Sequence, residues 1–158
     1  MTFVKWLLTG FVVVVILVAV LARFADGPVG PVPGGPLLRG ELVDGVVGDW
    51  SFVAEVSEVE LQLVEPPHSR TTWVLARDGR AYIPCGFANV RFWKKWPHQA
   101  MLDGRAIVRI EGRRYRVDLD RTDNADLVRL LTADMKRKYE AASGYSGDVW
   151  FFRLDQAH

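Results

Sequence analysis

The chain has 158 residues, with 20 Lys and Arg against 19 Asp and Glu and an apolar content of 49%. This length accommodates one domain, and the composition excludes disordered and collagen-like chains. A formal net charge of +1 excludes a generally basic nucleic-acid-binding protein, and the single cysteine, Cys85, excludes an internal disulfide and a zinc site built on several thiolates.

An uncharged apolar run lies near the start of the chain. Residues 6–22 carry no charged side chain and are bracketed by Lys5 and Arg23. As a helix, the run spans roughly 25 Å, slightly less than the hydrocarbon core of a bilayer, and the two flanking cations can extend to the headgroups. We therefore expect residues 1–25 to form a transmembrane anchor that contacts the lipid bilayer through residues 6–22. A cleaved signal peptide is the alternative, because residues 20–22 form an imperfect small-residue cleavage site.

A linker is expected next, because eight of the eleven residues from 26 to 36 are Gly or Pro. This composition disfavours both a helix and a central strand. The folded domain then comprises residues 37–158. The short tail with one Lys before the apolar run is typical of a signal anchor, so we expect the domain on the outer, periplasmic face of the cytoplasmic membrane.

The domain is predicted to be mainly β. Strand patterns occur in residues 56–63, 70–76, 80–84, 105–111, 114–120 and 149–154. In the first of them, apolar residues at 59, 61 and 63 alternate with polar ones, which is the period of a half-buried strand. Asp78-Gly79 and Gly112-Arg113 lie where hairpin turns are expected.

Two helices are predicted between these strands. The first covers residues 90–102 and contains Pro97, which kinks or breaks it. The second covers residues 125–141, is capped by Asp123 or Asn124, and carries one shared apolar face. That face consists of Leu127, Leu130, Leu131, Met135 and Tyr139. A strand-rich chain of this size removes its exposed edges by closing into a small barrel, so the predicted fold is α+β and mainly β.

Several short motifs along this order resemble a known superfamily. They are Asp49-Trp50-Ser51-Phe52, Thr71-Thr72-Trp73-Val74, Arg77-Asp78-Gly79 with Tyr82-Ile83-Pro84, Lys94-Lys95-Trp96-Pro97-His98, and the hairpin of residues 103–117. Together they are similar to the flavin-binding split-barrel superfamily, which includes the pyridoxamine-phosphate-oxidase-like and deazaflavin-dependent nitroreductase-like proteins. The resemblance covers residues 46–154 and implies a six-stranded split β-barrel with two helices.

The resemblance also implies a cofactor site, because such proteins typically bind FMN or the deazaflavin F420 at a dimer interface. Basic and hydroxyl side chains hold the phosphate, and here these would be Ser69, Arg70, Thr71, Thr72, Lys94 and Lys95. Trp73, Trp93 and Trp96 would flank the ring. A purely structural interpretation also stands, since Thr is a common strand former and paired Lys often lies on an exposed helix.

The sequence departs from both branches of the superfamily. No second Arg-Lys phosphate pair of the oxidase branch is present, and the Gly-Arg-Lys-Ser/Thr-Gly-like turn of the deazaflavin branch is replaced by Pro66-Pro67-His68-Ser69-Arg70. No metal is expected, because His68, His98, His158 and Cys85 show no zinc-site spacing.

Two functions are therefore predicted, and no catalytic residue is assigned. The first is a non-catalytic accessory or docking subunit of a membrane protein complex, which uses Trp93 and Trp96 to bind a membrane protein partner or a second copy. The second is a membrane-anchored oxidoreductase that depends on FMN or F420. Residues 91–121 hold nine Lys and Arg against four Asp and Glu. Such a stretch suits an anionic cofactor, anionic lipid headgroups or a partner; nucleic acid is not expected.

Overall fold

The computed structural model describes residues 2–90, 92 and 94–156. Its helices are α1 (Thr2–Ala22), α2 (Trp96–Leu102) and α3 (Ala125–Lys138), with 3-10 turns at Ser51–Ala54 and Glu140–Ala142. Its strands are β1 (Glu41–Leu42), β2 (Glu58–Leu63), β3 (Ser69–Trp73), β4 (Leu75–Arg77), β5 (Arg80–Gly86), β6 (Arg105–Ile110), β7 (Arg113–Thr122) and β8 (Val149–Gln156).

The strands form a sheet that closes on itself. Hydrogen-bonded neighbours follow the order β3-β2-β6-β7-β8-β5-β4, and only Val74 separates β3 from β4. These two are halves of one bent strand, which pairs with β2 before the bend and with β5 after it. Counted once, that strand gives the six barrel strands expected from the sequence, and β1 adds a short parallel pairing to β7. The predicted α+β split barrel, with two helices inside the domain, is confirmed.

The bend at Val74 is stabilised by the end of α3. The Tyr139 hydroxyl accepts a hydrogen bond from Val74 N at 3.1 Å and lies 2.7 Å from the carbonyl oxygens of both Val74 and Ser57. The neighbouring Lys138 Nζ donates to three carbonyl oxygens, those of Val53, Val56 and Val74. Buried backbone groups need partners, and a bent strand cannot find all of them in its neighbours. The two side chains provide those partners.

Two apolar clusters pack against the sheet, one on each face. Alternate residues of β2, β6 and β7 face the barrel interior, among them Leu61, Val108 and Val117. On the outer face of the sheet, Leu131 and Met135 of α3 pack on β4, β5 and β8. Phe151 and Phe152 are adjacent in β8 and both fully buried, yet each belongs to a different cluster. This follows from the two-residue period of a strand, which turns successive side chains to opposite faces.

The helices differ from the prediction in two bounds and in the exposure of one residue. α2 begins only at Trp96, because Pro97 has no N–H to donate inside a helix and is tolerated in its first turn. α3 begins as predicted, with the Asn124 side chain accepting from Leu127 N at 3.0 Å, but ends at Lys138. Leu130, assigned to the buried face of α3, is 41% exposed.

Helix α1 stands apart from the barrel core. Every side chain described from Val4 to Leu21 is exposed, and only Ala22 is buried. The segment Val4–Ala22 is long and apolar enough to cross a membrane, which is the property that a span and a signal sequence share.

The Pro/Gly-rich segment, here called loop 26–36, packs against the barrel. Gly34 and Ser69 exchange backbone hydrogen bonds, and Gly35 N donates to the carbonyl oxygen of Ala22 at the end of α1. Asp26 accepts hydrogen bonds from Arg109 Nη1 and from the backbone of residues 38 and 39. The loop therefore connects the end of α1 to the start of β3. The division into anchor, linker and domain stays a prediction.

Candidate functional site

The barrel opens where β3 and β5 part. β4 pairs with the start of β5, but from Ile83 onward β5 pairs only with β8, while β3 pairs with β2. A cleft of about 790 Å³ lies along this split, within the roughly 300–1,000 Å³ typical of small-molecule sites. Its walls come from β3, β5, loop 26–36, the chain around the end of α3, and the side chains of Phe87, Lys94 and Trp96.

Arg70 contributes an unneutralised positive charge to the cleft. Its guanidinium carbon lies 5.5 Å from the centre of the Trp96 ring, and its buried Nε has no hydrogen-bond partner. Among the described residues, no carboxylate lies within salt-bridge distance of Arg70. Burial lowers the pKa of this side chain to about 10, which still leaves it cationic at neutral pH. The cleft therefore favours an anion beside Arg70.

Lys94 adds a second cation, and Cys85 lies near both. Burial raises the pKa of the Cys85 thiol to about 11, although the charges of Lys94 and Arg70 act in the opposite direction. The thiol is therefore protonated at neutral pH and is not a nucleophile there.

Aromatic side chains form the walls beside these cations. Trp96 is buried, and Trp73 stacks on Tyr139 with ring centres 4.4 Å apart and an interplanar angle of 7°. On the other side, the Phe87 and Tyr145 rings meet edge to face at 5.2 Å. Flat aromatic walls beside two cations suit a ligand that combines a planar ring with a negative charge.

The structure brings together four of the six phosphate-site residues expected from the sequence. Arg70, Thr71, Thr72 and Lys94 line the cleft. Ser69 does not: it is fully buried, and its hydroxyl donates to the Gly35 carbonyl oxygen at 2.6 Å. Lys95 is exposed outside the lining.

Of the three tryptophans, Trp73 and Trp96 line the cleft, whereas Trp93 lies outside the described residues. Trp96 is only 4% exposed in the chain. An interface role for it would therefore require the cleft itself to be the contact surface.

Sequence reasoning missed the part of the cleft that loop 26–36 contributes. Gly30, Pro31 and Pro33 line it, although their composition indicated only a linker. No local signal marks them, because their position depends on the hydrogen bonds of Asp26 and Gly34 to distant parts of the chain. Within the described ranges, no group of three His, Cys, Asp or Glu side chains is arranged to hold a metal ion.

Comparison with solved structures identifies the fold. A Listeria innocua protein described as "Putative Pyridoxamine 5'-phosphate oxidase" aligns with 68% of this chain and 90% of its own, at 12% identity and a TM-score of 0.52. A Corynebacterium glutamicum protein described in the same words aligns with 68% of this chain and 85% of its own, at 10% identity and a TM-score of 0.39. No protein-family model and no curated protein matches the sequence. At this identity the first likeness shows a split-barrel fold and no more.

Proposed function

We propose that this protein is a membrane-anchored oxidoreductase that binds a phosphate-bearing cofactor of the FMN or F420 class in the split of its barrel. The observation that carries the proposal is Arg70, a half-buried guanidinium without a carboxylate partner among the described residues and with an unpartnered Nε. A buried charge without a counter-charge is unfavourable, and an anionic ligand removes that cost.

The residues of the cleft fit such a cofactor. Arg70, whose guanidinium lies over the Trp96 ring, would donate to a phosphate, and Lys94 would add a second charge. The hydroxyls of Thr71 and Thr72 lie on the same strand and would supply neutral donors. A flavin or deazaflavin supplies hydride-transfer chemistry when bound, and the chain supplies binding and orientation.

The membrane anchor is part of the proposal. Helix α1 is long and apolar enough to span a bilayer, and its side chains from Val4 to Leu21 are exposed. Loop 26–36 leads directly from α1 to the cleft and is hydrogen-bonded at both ends. The proposed site would thus lie close to the membrane surface, with the domain on the outer face, as expected for a signal anchor with a short N-terminal tail.

The test is a titration of the full-length protein in detergent with FMN and with F420, followed by cofactor fluorescence. Charged hydrogen bonds contribute roughly 1.5–3 kcal/mol, so Arg70→Ala should weaken binding by about ten- to a hundredfold. Arg121→Ala is the matched control. Arg121 also has a buried, unpartnered Nε and stacks on a tryptophan, Trp150, at 3.8 Å, but it lies outside this cleft.

Equal losses in the Arg70 and Arg121 variants would contradict the phosphate role of Arg70. Failure of wild-type protein to bind either cofactor would overturn the proposal. If a pull-down then recovered a stoichiometric membrane protein, the prediction of a non-catalytic accessory subunit would replace it.

A further inference from the structure

A surface beside the cleft is exposed, apolar and basic. Between Arg80 and Leu102 the sequence contains no acidic residue. Within this stretch, residues 87–90, 92 and 94–102, here called segment 87–102, expose several large apolar side chains: Phe87 at 61%, Phe92 at 82%, Met101 at 52% and Leu102 at 90%. Lys95 is exposed among them. Single exposed apolar residues are ordinary, but a cluster of them marks a contact surface.

The backbone holds one of these side chains outward at a conformational cost. Phe87 has a φ of 57°, in the left-handed region that a bulky residue rarely adopts. The Tyr145 hydroxyl accepts a hydrogen bond from Phe87 N at 2.9 Å, and the two rings meet edge to face. Strained residues persist where the surrounding structure fixes them, typically at functional surfaces.

This surface lies near the point where the chain leaves α1. Phe87 and Lys94 line the same cleft as Gly30 and Pro31 of loop 26–36. The loop in turn is hydrogen-bonded to Ala22, the last residue of α1, through Gly35 N at 3.1 Å. The exposed segment and the end of the apolar helix are therefore separated by the width of one cleft and one short loop.

We propose that segment 87–102 rests on the headgroup region of an anionic bilayer and forms a second membrane contact next to α1. Exposed aromatic and aliphatic side chains next to Lys95, in a stretch that itself contains no acidic residue, match the chemistry of interfacial protein segments. Two carboxylates lie at its edges, and both have partners: Asp148 accepts from Asn89, and Asp103 pairs with Arg105. Lysines near an anionic surface add to the attraction. The contact would keep the cleft, which Phe87 and Lys94 help to line, next to the membrane surface. This inference rests on the anchor in the proposed function.

The experiment uses full-length protein in phosphatidylcholine vesicles with and without phosphatidylglycerol. The single native cysteine is removed by Cys85→Ala, and one new cysteine at a time is labelled with a fluorophore. Lipids that carry a spin label just below the headgroup quench the fluorophore when it lies in the headgroup region. Phe92→Cys and Leu102→Cys report on the surface. Asp78→Cys is the matched control, because it lies at the opposite end of β5, about 20 Å along the strand from Gly86. Val14→Cys reports whether α1 itself is inserted, through lipids labelled deeper in the chain.

We expect the probes at 92 and 102 to be quenched at least about twofold more than the probe at 78, and more strongly with phosphatidylglycerol than without it. Lys95→Glu should reduce that difference. If the probe at residue 14 is quenched and the probes at residues 92 and 102 are not, segment 87–102 does not contact the membrane, whereas α1 is still inserted. Absence of quenching at 14 overturns the anchor itself. If the cysteine at 92 instead cross-links to a second copy of the protein and its fluorophore is not quenched by lipid, the surface is a self-association site and the inference is overturned.

Discussion

Arg109 of β6 holds Asp26, a residue 83 positions earlier in the chain, through an ion pair between Nη1 and Oδ2 at 2.7 Å. The same guanidinium also pairs with Glu60 on β2. The side chains of Arg109 and Asp26 are only 12% and 18% exposed. The pair fixes the start of loop 26–36 on the barrel and thereby fixes one wall of the cleft.

We expect Asp26→Ala to lower the free energy of unfolding by roughly 1–3 kcal/mol, because it removes one of the two carboxylate partners of the largely buried Arg109 guanidinium and the acceptor of the N–H groups of residues 38 and 39. Thermal unfolding of the full-length protein in detergent measures the effect. Asp103→Ala is the control: Asp103 pairs with the neighbouring Arg105, whose side chain is 64% exposed, so its loss should change stability by no more than about 0.5 kcal/mol. Equal effects of the two variants would refute the special role of the Asp26 pair.

The same carboxyl makes stability depend on pH. Burial raises the pKa of Asp26, but hydrogen bonds from Arg39 N, Arg109 and Leu38 N outweigh it and lower the pKa from 3.8 to about 2. Because the folded-state pKa is depressed, the stabilisation is present above the unfolded-state value and is lost as the pH falls from about 4 to about 2. Unfolding midpoints of wild type and Asp26→Asn, measured across this range, should converge at its acid end. A constant difference would show that the charge of Asp26 is not responsible.

Ser69→Ala should destabilise the fold and leave cofactor affinity unchanged. The buried Ser69 hydroxyl bonds to the Gly35 carbonyl oxygen, and its loss leaves that oxygen unpaired at a cost of roughly 1–3 kcal/mol. Thr71→Ala should weaken cofactor binding and leave the stability of the fold unchanged, because Thr71 is exposed and lines the cleft. Unfolding midpoints and FMN titrations of both variants make the comparison. Weakened binding in a fully stable Ser69→Ala protein would return Ser69 to the cofactor site.

Tyr139→Phe should weaken the bend between β3 and β4, because the Tyr139 hydroxyl bonds to both backbone groups of Val74. We expect a loss of roughly 1–3 kcal/mol in the free energy of unfolding and faster hydrogen exchange at the Val74 amide. Tyr115→Phe is the control: Tyr115 is also buried, and its hydroxyl makes no hydrogen bond to the described part of the chain. An unchanged exchange rate at Val74 in Tyr139→Phe would contradict this account of the bend.

Local patterns in the sequence predicted most of the barrel. Alternation in β2 and the turn signals at Asp78-Gly79 and Gly112 are properties of neighbouring residues, and the structure confirms the hairpins there. The start of α3 was equally accessible, because the cap at Asn124 is a local hydrogen bond. The bend at Val74 was not predictable, because its partners, Lys138 and Tyr139, lie 64 and 65 residues later in the chain.

The cleft was predictable on β3 and at residues 94 and 96. Arg70, Thr71 and Thr72 stand on a β-strand whose motif carried the resemblance, and the structure places them together with Lys94 and Trp96 in the cleft lining. Loop 26–36 adds to that lining through contacts that no short pattern encodes. Ser69 was placed in the phosphate site for the same reason: its actual hydrogen-bond partner, Gly35, lies 34 residues earlier in the chain, and no local pattern reveals that contact.

The position of β8 between β5 and β7 determines when the barrel can form during synthesis. β8 follows every other barrel strand in the chain, yet it joins two strands in the middle of the sheet. Neither the barrel nor its cleft can close until β8 has left the ribosome. Helix α1 is made before all of them and is therefore available to the membrane-insertion machinery while the domain is still open. For the proposed function, this strand order would place membrane insertion before folding and cofactor binding last.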